Sequence, residues 1–566
     1  MKLLIDSVSV AAKPGMTLLE LVRSLGMDAA NFSSRPIAAK IAGEIFNLNY
    51  IPVRIENREQ ERISIRRAMA ASGGVVQLIR YSDPSGKDVY SRTVQFLLCL
   101  ALHQLWPNTR VKMSFSVGRA LFVEVLDQPD FSVERLKHRV ASLIDQDIPL
   151  IRRRVSTESA IDRYIDRKQY DKARLLKWRT ETYFDEYAYE DFSDYYYGEL
   201  APSTGYIKVW DIRPADGGFM FLYPNDEDPD HVATFVDGPK YASVCREGSR
   251  WCELMECETV ADLNDMTRSG KIRELIRVNE ALHEKRFSQV ADMVCRSGAK
   301  LLMLAGPSSS GKTTSANRLA TQLRVHGMRP VLMSLDDYYI DRSLIQPGPD
   351  GKIDFEHINT IDTELFRLHM EQLLSGESVV QPSFNFITGK SEWHTESLSL
   401  TDSSVVIVEG LHALNPILLP EQTAESSVFR LYVSPLLPLN LDDHNRIPSS
   451  LLRLLRRIVR DYETRGASVQ KTLSMWDSVR RGEKRWIFPF QENADVIFNS
   501  STLYELAVLK KHIYPLLLRI EPEDSCYEAV RSVVKILNYV QEADVDDEIP
   551  PTSLIREFVG GNTFYR

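Results

Sequence analysis

The chain has little cysteine, no long apolar run and no excess of basic charge, and each shortage excludes something. Six cysteines, Cys99, Cys245, Cys252, Cys257, Cys295 and Cys526, are spread over 566 residues. That is too few for a disulfide framework and predicts a reducing, cytoplasmic setting. Cys245, Cys252 and Cys257 cluster, but not at the paired spacing of a zinc site and with no fourth ligand near, so they read as structural thiols. The absence of any run of about 18 apolar residues predicts no membrane span. Asp6 interrupts the first apolar residues too early for a signal peptide. Lys and Arg number 69 against 78 Asp and Glu, a net charge of −9, which gives no general attraction to nucleic acid or acidic membrane. Internal repeats and low-complexity segments are absent too. What is there is an ordinary globular composition, 43% hydrophobic and 26% charged, in a chain long enough for three or four domains.

The most specific positive signal is GPSSSGKTT at residues 306–314, a complete phosphate-binding loop. Gly306 and Gly311 allow backbone angles closed to other residues. The N–H groups of Gly306, Pro307's successors Ser308, Ser309 and Ser310, and Gly311 can then turn inward on a triphosphate. Lys312 reaches the β- and γ-phosphates, the Thr313 hydroxyl can ligate Mg²⁺, and Thr314 completes the loop. The flanks agree: residues 300–305 form an apolar run suited to a buried parallel strand, and residues 315–323 have helical composition, which aims a positive helix end at the phosphates. ATP and Mg²⁺ are the ligands expected.

Two further strands end in acids. Residues 330–334 run into Leu335-Asp336-Asp337-Tyr338-Tyr339, and residues 405–408 into Glu409-Gly410. The carboxyl edge of a parallel sheet is where such folds bind ligands. Asp336 or Asp337 is placed to take a proton from an acceptor hydroxyl, and Glu409 to orient Mg²⁺ through water. Arg453, Arg456, Arg457, Arg460 and Arg465 then crowd a few helical turns. Their i,i+4 pairs repel by a few tenths of a kcal/mol, and a transferring phosphoryl group is the natural anion to relieve them.

In this order the motifs resemble the uridine kinase and phosphoribulokinase family of P-loop kinases. The resemblance implies that Asp336 is the catalytic base and that Tyr339, Phe355 and Glu356 (in Asp354-Phe-Glu-His-Ile-Asn359) contact the acceptor ribose. It makes the arginines a lid helix, with Arg456 and Arg460 acting on the reacting group and Arg457 and Arg465 on substrate. Thr313 and Glu409 hold the metal. One segment departs from the pattern. Where uridine kinases read the pyrimidine, this chain has Pro382-Ser-Phe-Asn-Phe386, with Phe384 for Tyr and Asn385 for Asp. Phe384 can still stack on a base, while Gly389 and Ser391 replace the following His and Arg. His394, expected on a loop, stands five residues late.

The front of the chain resembles two other modules. Residues 1–63 resemble a TGS domain, a β-grasp fold: Thr17 and Glu20 form a capping box before a helix over residues 18–25, and a hairpin turns at Gly43. Residues 64–225 resemble the second additional domain of threonyl-tRNA synthetases, the editing module. Its metal-ligand positions fall on Tyr90, Val94, Tyr196 and Leu200; tyrosine is a poor substitute ligand and Val and Leu are none, so editing chemistry is not expected and the scaffold is left as a binding or docking surface. The acid- and aromatic-rich stretch 183–197 reads as half-buried structure, since its acids would repel phosphate. Residues 226–298 form a connector with a long helix over 271–294, residues 299–515 the kinase-like domain and residues 516–566 a helical tail. The fold class expected is therefore α/β multidomain: a P-loop kinase with a parallel sheet flanked by helices, behind a β-grasp and an α+β domain. The activity expected is phosphoryl transfer from ATP to a small-molecule nucleoside. The alternatives are a sugar-phosphate acceptor, or an RNA- or ribosome-associated NTPase. Nucleic acid is disfavoured because residues 1–63 hold 8 Lys/Arg against 7 Asp/Glu.

Overall fold

The computed structural model describes residues 2–28, 31–52, 69, 71–128, 130–179, 181–346, 354–386, 388–421 and 423–564. The expected boundary between residues 63 and 64 lies outside them. The first sheet nevertheless crosses it. Its strand order is Val8–Ala11, Lys2–Ile5, Val75–Arg80, Pro36–Ile41 and Glu44–Phe46, so its central strand is the last to arrive in sequence. Val76 and Leu78 alternate into the same core as Leu3, Ile5 and Leu18. The helix Leu18–Ser24 packs on this sheet, and both capping-box bonds form between Thr17 and Glu20.

The next region holds a four-stranded antiparallel sheet (Asp211–Ala215, Gly218–Leu222, Ala120–Leu126, Arg110–Val117) and a three-stranded one (Phe192–Asp194, Tyr183–Tyr189, Arg152–Ser156). The helix Pro84–Leu105 runs through their shared core, where Tyr90, Val94, Tyr196 and Leu200 are all buried together. Apolar packing therefore fills those four positions. Two acids of stretch 183–197 find cations on the neighbouring strand and the helix Thr157–Asp166 after it: Arg153 and Arg163 enclose Glu186, and Arg152 and Arg154 flank Asp185. All six cysteines are free thiols. Burial pushes Cys245 and Cys252 each up to about 12, which makes them poor nucleophiles and ligands. Among the described residues, Cys99, Asp194 and His444 stand within metal-binding reach of one another. The Lys172 ammonium already sits on Asp194 (2.5 Å) and Asp442 (3.3 Å), so the cluster reads as a closed ion network.

Three helices, Pro239–Leu254, Val260–Ser269 and Ile272–Ser297, lead to a five-stranded all-parallel sheet. Its order is Arg329–Ser334, Ser404–Glu409, Leu301–Ala305, Val428–Ser434, Val496–Asn499. Central strands Leu301–Ala305 and Ser404–Glu409 are buried throughout, as the continuous apolar runs require. Residues 516–566 are not a detached tail. Val530, Val533, Val534 and Leu537 of the helix Tyr527–Leu537 share one core with Leu452, Leu455 and Val459, and Leu554 and Phe558 are fully buried. None of the helices among the described residues is long and apolar enough to cross a membrane.

Candidate active site

The site forms at the carboxyl edge of the parallel sheet, where three strands deliver their loops side by side. The loop 306–314 leaves Leu301–Ala305 and enters the helix Lys312–Val325. A side chain at Gly306 would place Cβ 2.1 Å from the Val433 carbonyl oxygen, and Gly311 has φ +86°. Both positions therefore require glycine. Among the described residues, the Ser309 and Ser310 hydroxyls are enclosed with no hydrogen-bond partner, and the Lys312 ammonium reaches only the Pro307 carbonyl, at 3.3 Å. Enclosed donors left open around a glycine-pinched loop suit a polyphosphate.

Beside the loop, the Thr313 hydroxyl donates to Glu409 Oε1 at 3.2 Å, and the Ser334 hydroxyl donates to the same oxygen at 3.1 Å. These are hard oxygen donors of the kind Mg²⁺ takes. Ser334 also accepts from the Asp336 N–H, which starts the short 3₁₀ turn Leu335–Tyr338. That turn separates the two adjacent acids. Asp336 faces Lys312, Arg465 and Arg460, while Asp337 faces the Phe384 backbone and His394. Burial raises the Asp336 carboxyl, and the three cations pull it back. Gly410 allows the two strand ends to close, since a Cβ there would lie 2.6 Å from Leu335 Cβ.

The arginines divide. Arg453 and Arg456 are turned to the back of the loop and neutralised by carboxylates of the protein. Arg453 makes a two-pronged pair with Glu483 (2.8 Å for Nη2) and bonds the Ser308 carbonyl. Arg456 pairs with Glu505 at 2.7 and 3.1 Å and bonds the Ser500 and Ser309 carbonyls. Both are almost wholly buried. The crowding in the helix Ser449–Arg465 is thus relieved from within at these two positions, and Arg456 is committed to scaffolding rather than facing Asp336. Arg457 donates to the Ser308 hydroxyl at 2.8 Å. Arg457, Arg460 and Arg465 share Asp461.

A hairpin, Val379–Asn385 with Lys390–Leu398, stands beside the turn Leu335–Tyr338, with the Phe384 backbone at Asp337. Phe384 is buried against Tyr339 (ring centroids 5.5 Å apart) and Phe386 (5.1 Å). Asn385 donates to Glu392 at 3.1 Å. His394 lies on the second strand, exposed, rather than on a loop. Glu356 abuts the helix Val469–Trp486, where a Cβ at Gly482 would fall 2.3 Å from its own. Burial, with Glu483 adding repulsion, pushes Glu356 up to about 7. Phe355 is 47% exposed.

Sequence reasoning did not single out Glu483, Glu505, Ser334 or Glu557. Glu557, from the helix Arg556–Val559, accepts from the Thr314 hydroxyl at 2.7 Å and the Thr314 N–H at 3.4 Å. It lies 243 residues from its partner, so no local pattern points to it.

A family model described as phosphoribulokinase/uridine kinase matches residues 301–507, the span that carries every group above except Glu557. A uridine kinase of Vibrio atlanticus (strain LGP32) is 31% identical over 222 residues, 38% of this chain and 94% of that protein. The chain belongs to the phosphoribulokinase/uridine kinase family. A uridine kinase of Bacillus pumilus (strain SAFR-032) is 29% identical over 36% of this chain and 87% of its own length. A structure described as a possible uridine kinase from Bacillus stearothermophilus covers 38% of this chain and 97% of that chain, at 19% identity and a TM-score of 0.27. The family accounts for the P-loop kinase module, a phosphotransferase; the front modules lie outside the matched span.

Two predictions follow from this geometry. Glu505→Ala leaves the Arg456 guanidinium buried and unpaired, a loss of about 3–5 kcal/mol that lowers the thermal midpoint in calorimetry. Glu356 has its folded pKa raised from 4.5 to about 7. Its contribution is present below about pH 4.5 and is lost as pH rises through about 7. Melts from pH 5 to 8 should show wild type losing stability relative to Glu356→Gln, and parallel profiles would contradict this.

Proposed function

We propose that the protein is an ATP- and Mg²⁺-dependent nucleoside kinase that transfers the γ-phosphoryl group to the 5′-hydroxyl of a ribonucleoside. The observation that carries this reading is the convergence of Asp336, Lys312, Thr313 and Glu409 at one sheet edge, with an aromatic wall of Tyr339 and Phe384 beside them. The loop 306–314 binds the triphosphate. Thr313 and Glu409 hold Mg²⁺, which when bound neutralises charge on the phosphate oxygens. Asp336 accepts the proton of the attacking hydroxyl, and its raised affinity for protons, set by burial, suits a base. Lys312, Arg460 and Arg465 face that carboxylate and stabilise charge developing between it and the donor. Arg457 and Glu356 stand close enough to interact and position the acceptor, with Phe355 and Tyr339 against its ribose. Phe384 stacks on the base. The strand order of the first sheet supports a TGS-like reading of the front module, and the free thiols support the cytoplasm.

A panel of ribonucleosides with ATP tests the reaction. Wild type should form a nucleoside 5′-monophosphate, and Asp336→Asn should lower kcat by about 10²–10⁴ with ATP binding retained. ATP binding without transfer to any nucleoside would exclude the nucleoside reading. Glu557 places a negative charge on the Thr314 donors that a triphosphate would use. Glu557→Gln keeps the acceptor and removes the charge, and should tighten ATP binding about fivefold, or ~1 kcal/mol, in equilibrium titration.

A further inference from the structure

A cavity of about 270 Å³ lies where the separate parts of the chain meet. Its walls are the hairpin turn at residues 43–45, one face of the helix Pro84–Leu105, residues 197–199, the segment 441–451 and the helix Tyr527–Leu537. No residue of the loop 306–314 lines it, nor do Asp336 or Glu409, so it is separate from the active site.

The last of these helices turns Glu528, Arg531, Ser532 and Lys535 into the cavity, the spacing of a single helical face. Glu528 is engaged by Lys40 at 2.6 Å and by the Ser85 hydroxyl. Glu199, on the opposite wall, is engaged by Arg152 and Tyr187. Arg531 and Lys535 are like charges at i,i+4, and neither has an ion pair or hydrogen bond with any described residue. Arg531 Nε is fully enclosed without a partner. Two more cations line it: Arg92, which bonds the Glu199 carbonyl at 3.1 Å, and Arg446, whose Nη1 donates to the Ser116 hydroxyl at 2.7 Å. Pro448 and Leu451, the start of the arginine helix Ser449–Arg465, complete this side, so the positive end of a 17-residue helix adjoins the same space. Glu44 and Asp88 are the acids left uncommitted there, and burial raises the Asp88 carboxyl towards its neutral form. Lys535 lines the cavity with its side chain exposed. Desolvation by the surrounding protein and the charges of Arg152 and Arg531 hold it down at about 8, against the opposing pull of Glu199 and Glu44. A cation held against like charges in this way is relieved by an anion.

We propose that this junction cavity binds a phosphate monoester, with Arg531, Lys535 and Arg446 on the phosphate and the hydroxyls of Ser91 and Ser532 on the remainder of the molecule. Three cations and a helix end suit a dianion better than a monoanion, and the hydroxyls and Gln95 suit a polyol such as a sugar. The arginine helix begins at the cavity and carries Arg460 and Arg465 at its other end, so a ligand at its first turn acts on groups that face Asp336. The ligand is thus an effector of the kinase. This coupling rests on the kinase reading; the binding does not.

The test uses the full chain carrying Lys312→Ala, which weakens phosphate binding in the loop 306–314, titrated calorimetrically with ribose 5-phosphate and with inorganic phosphate. One equivalent of ribose 5-phosphate should bind, about tenfold more tightly than inorganic phosphate, and adding Arg531→Ala with Lys535→Ala should weaken it about tenfold or more. Both side chains border the cavity outside the cores, and unchanged melting of the unliganded triple variant verifies its fold. Absence of binding in Lys312→Ala, affinity unchanged by the double substitution, or equal affinity for inorganic phosphate each overturns the site as proposed. In otherwise wild-type protein, saturating ribose 5-phosphate should change the KM or kcat of phosphoryl transfer, and Arg531→Ala with Lys535→Ala should abolish that change. Binding with no kinetic effect overturns the effector role. Failure of wild type to bind ATP defeats the kinase reading and leaves the calorimetric result standing.

Discussion

The active site depends on two buried ion pairs behind the phosphate loop. Arg453 with Glu483 and Arg456 with Glu505 fasten the arginine helix to the loop through the carbonyls of Ser308 and Ser309. Burying such charges costs several kcal/mol unless each is met by a partner and further hydrogen bonds. Here both conditions hold: Glu483 also accepts from the Ser308 N–H and Glu505 from the Thr502 N–H. With the helix pinned there, Arg457, one turn beyond Arg453, meets the Ser308 hydroxyl, and Arg460 and Arg465 face Asp336. The same residue type thus serves two purposes on one helix, and depth alone separates them. A guanidinium matched on both prongs by a carboxylate is scaffold. One that shares a single aspartate with two neighbours keeps donors for a substrate.

The kinase module is not a free-standing unit bolted to the front of the chain. One core runs from Ala160 and Leu175 through Leu263 and Leu452 to Val533 and Ile555, joining residues nearly four hundred positions apart. Polar contacts follow the same seam. Met113 N–H donates to the Asp443 carbonyl at 2.8 Å, Arg110 holds the Asp443 carboxylate, and Lys172 bridges Asp194 and Asp442. The segment 440–446 is thereby clamped by the second module before it enters the arginine helix. The C-terminal residues then fold back over the phosphate loop, with Leu554 against Gly311 and Glu557 on Thr314. Front and tail therefore both bear on the one helix and one loop that matter for phosphoryl transfer.

Where the chemistry is local, the sequence was legible. The loop 306–314, the strands ending at Ser334 and Glu409 and the Thr17 capping box are each written in a dozen residues or fewer, and the structure forms them at those places. Long-range partners were not legible. The crowding of Arg453 and Arg456 was visible, but the relieving acids stand 30 and 49 residues away, and no spacing rule distinguishes them from a bound phosphate. The first sheet was cut short for a related reason. Its hairpin and helix are contiguous, but the central strand Val75–Arg80 joins only after a long excursion, and a run of six alternating residues carries no address for its neighbours. The acidic stretch 183–197 was read correctly as structure because electrostatics excluded phosphate; its cationic partner strand, Arg152–Ser156, was missed.

The acceptor end follows a different physical logic from the donor end. On the donor side, charge and backbone geometry leave few options: glycines that cannot be replaced, one lysine, one hydroxyl and one buried glutamate. On the acceptor side, Phe384 is buried in a triad with Tyr339 and Phe386, and Asn385 is spent on Glu392. A wall of this kind offers stacking area and shape but few directed hydrogen bonds. Hydrogen-bonding sites reject a wrong substrate strongly because they leave a buried polar group unpaired, whereas apolar surfaces separate near-isosteres by only about 1–3 kcal/mol. Asp336, Glu356 and Glu409 act on Tyr339, and Asp337 meets the Phe384 backbone. Under the nucleoside reading proposed above, this wall selects by stacking and shape more than by directed hydrogen bonds to the base.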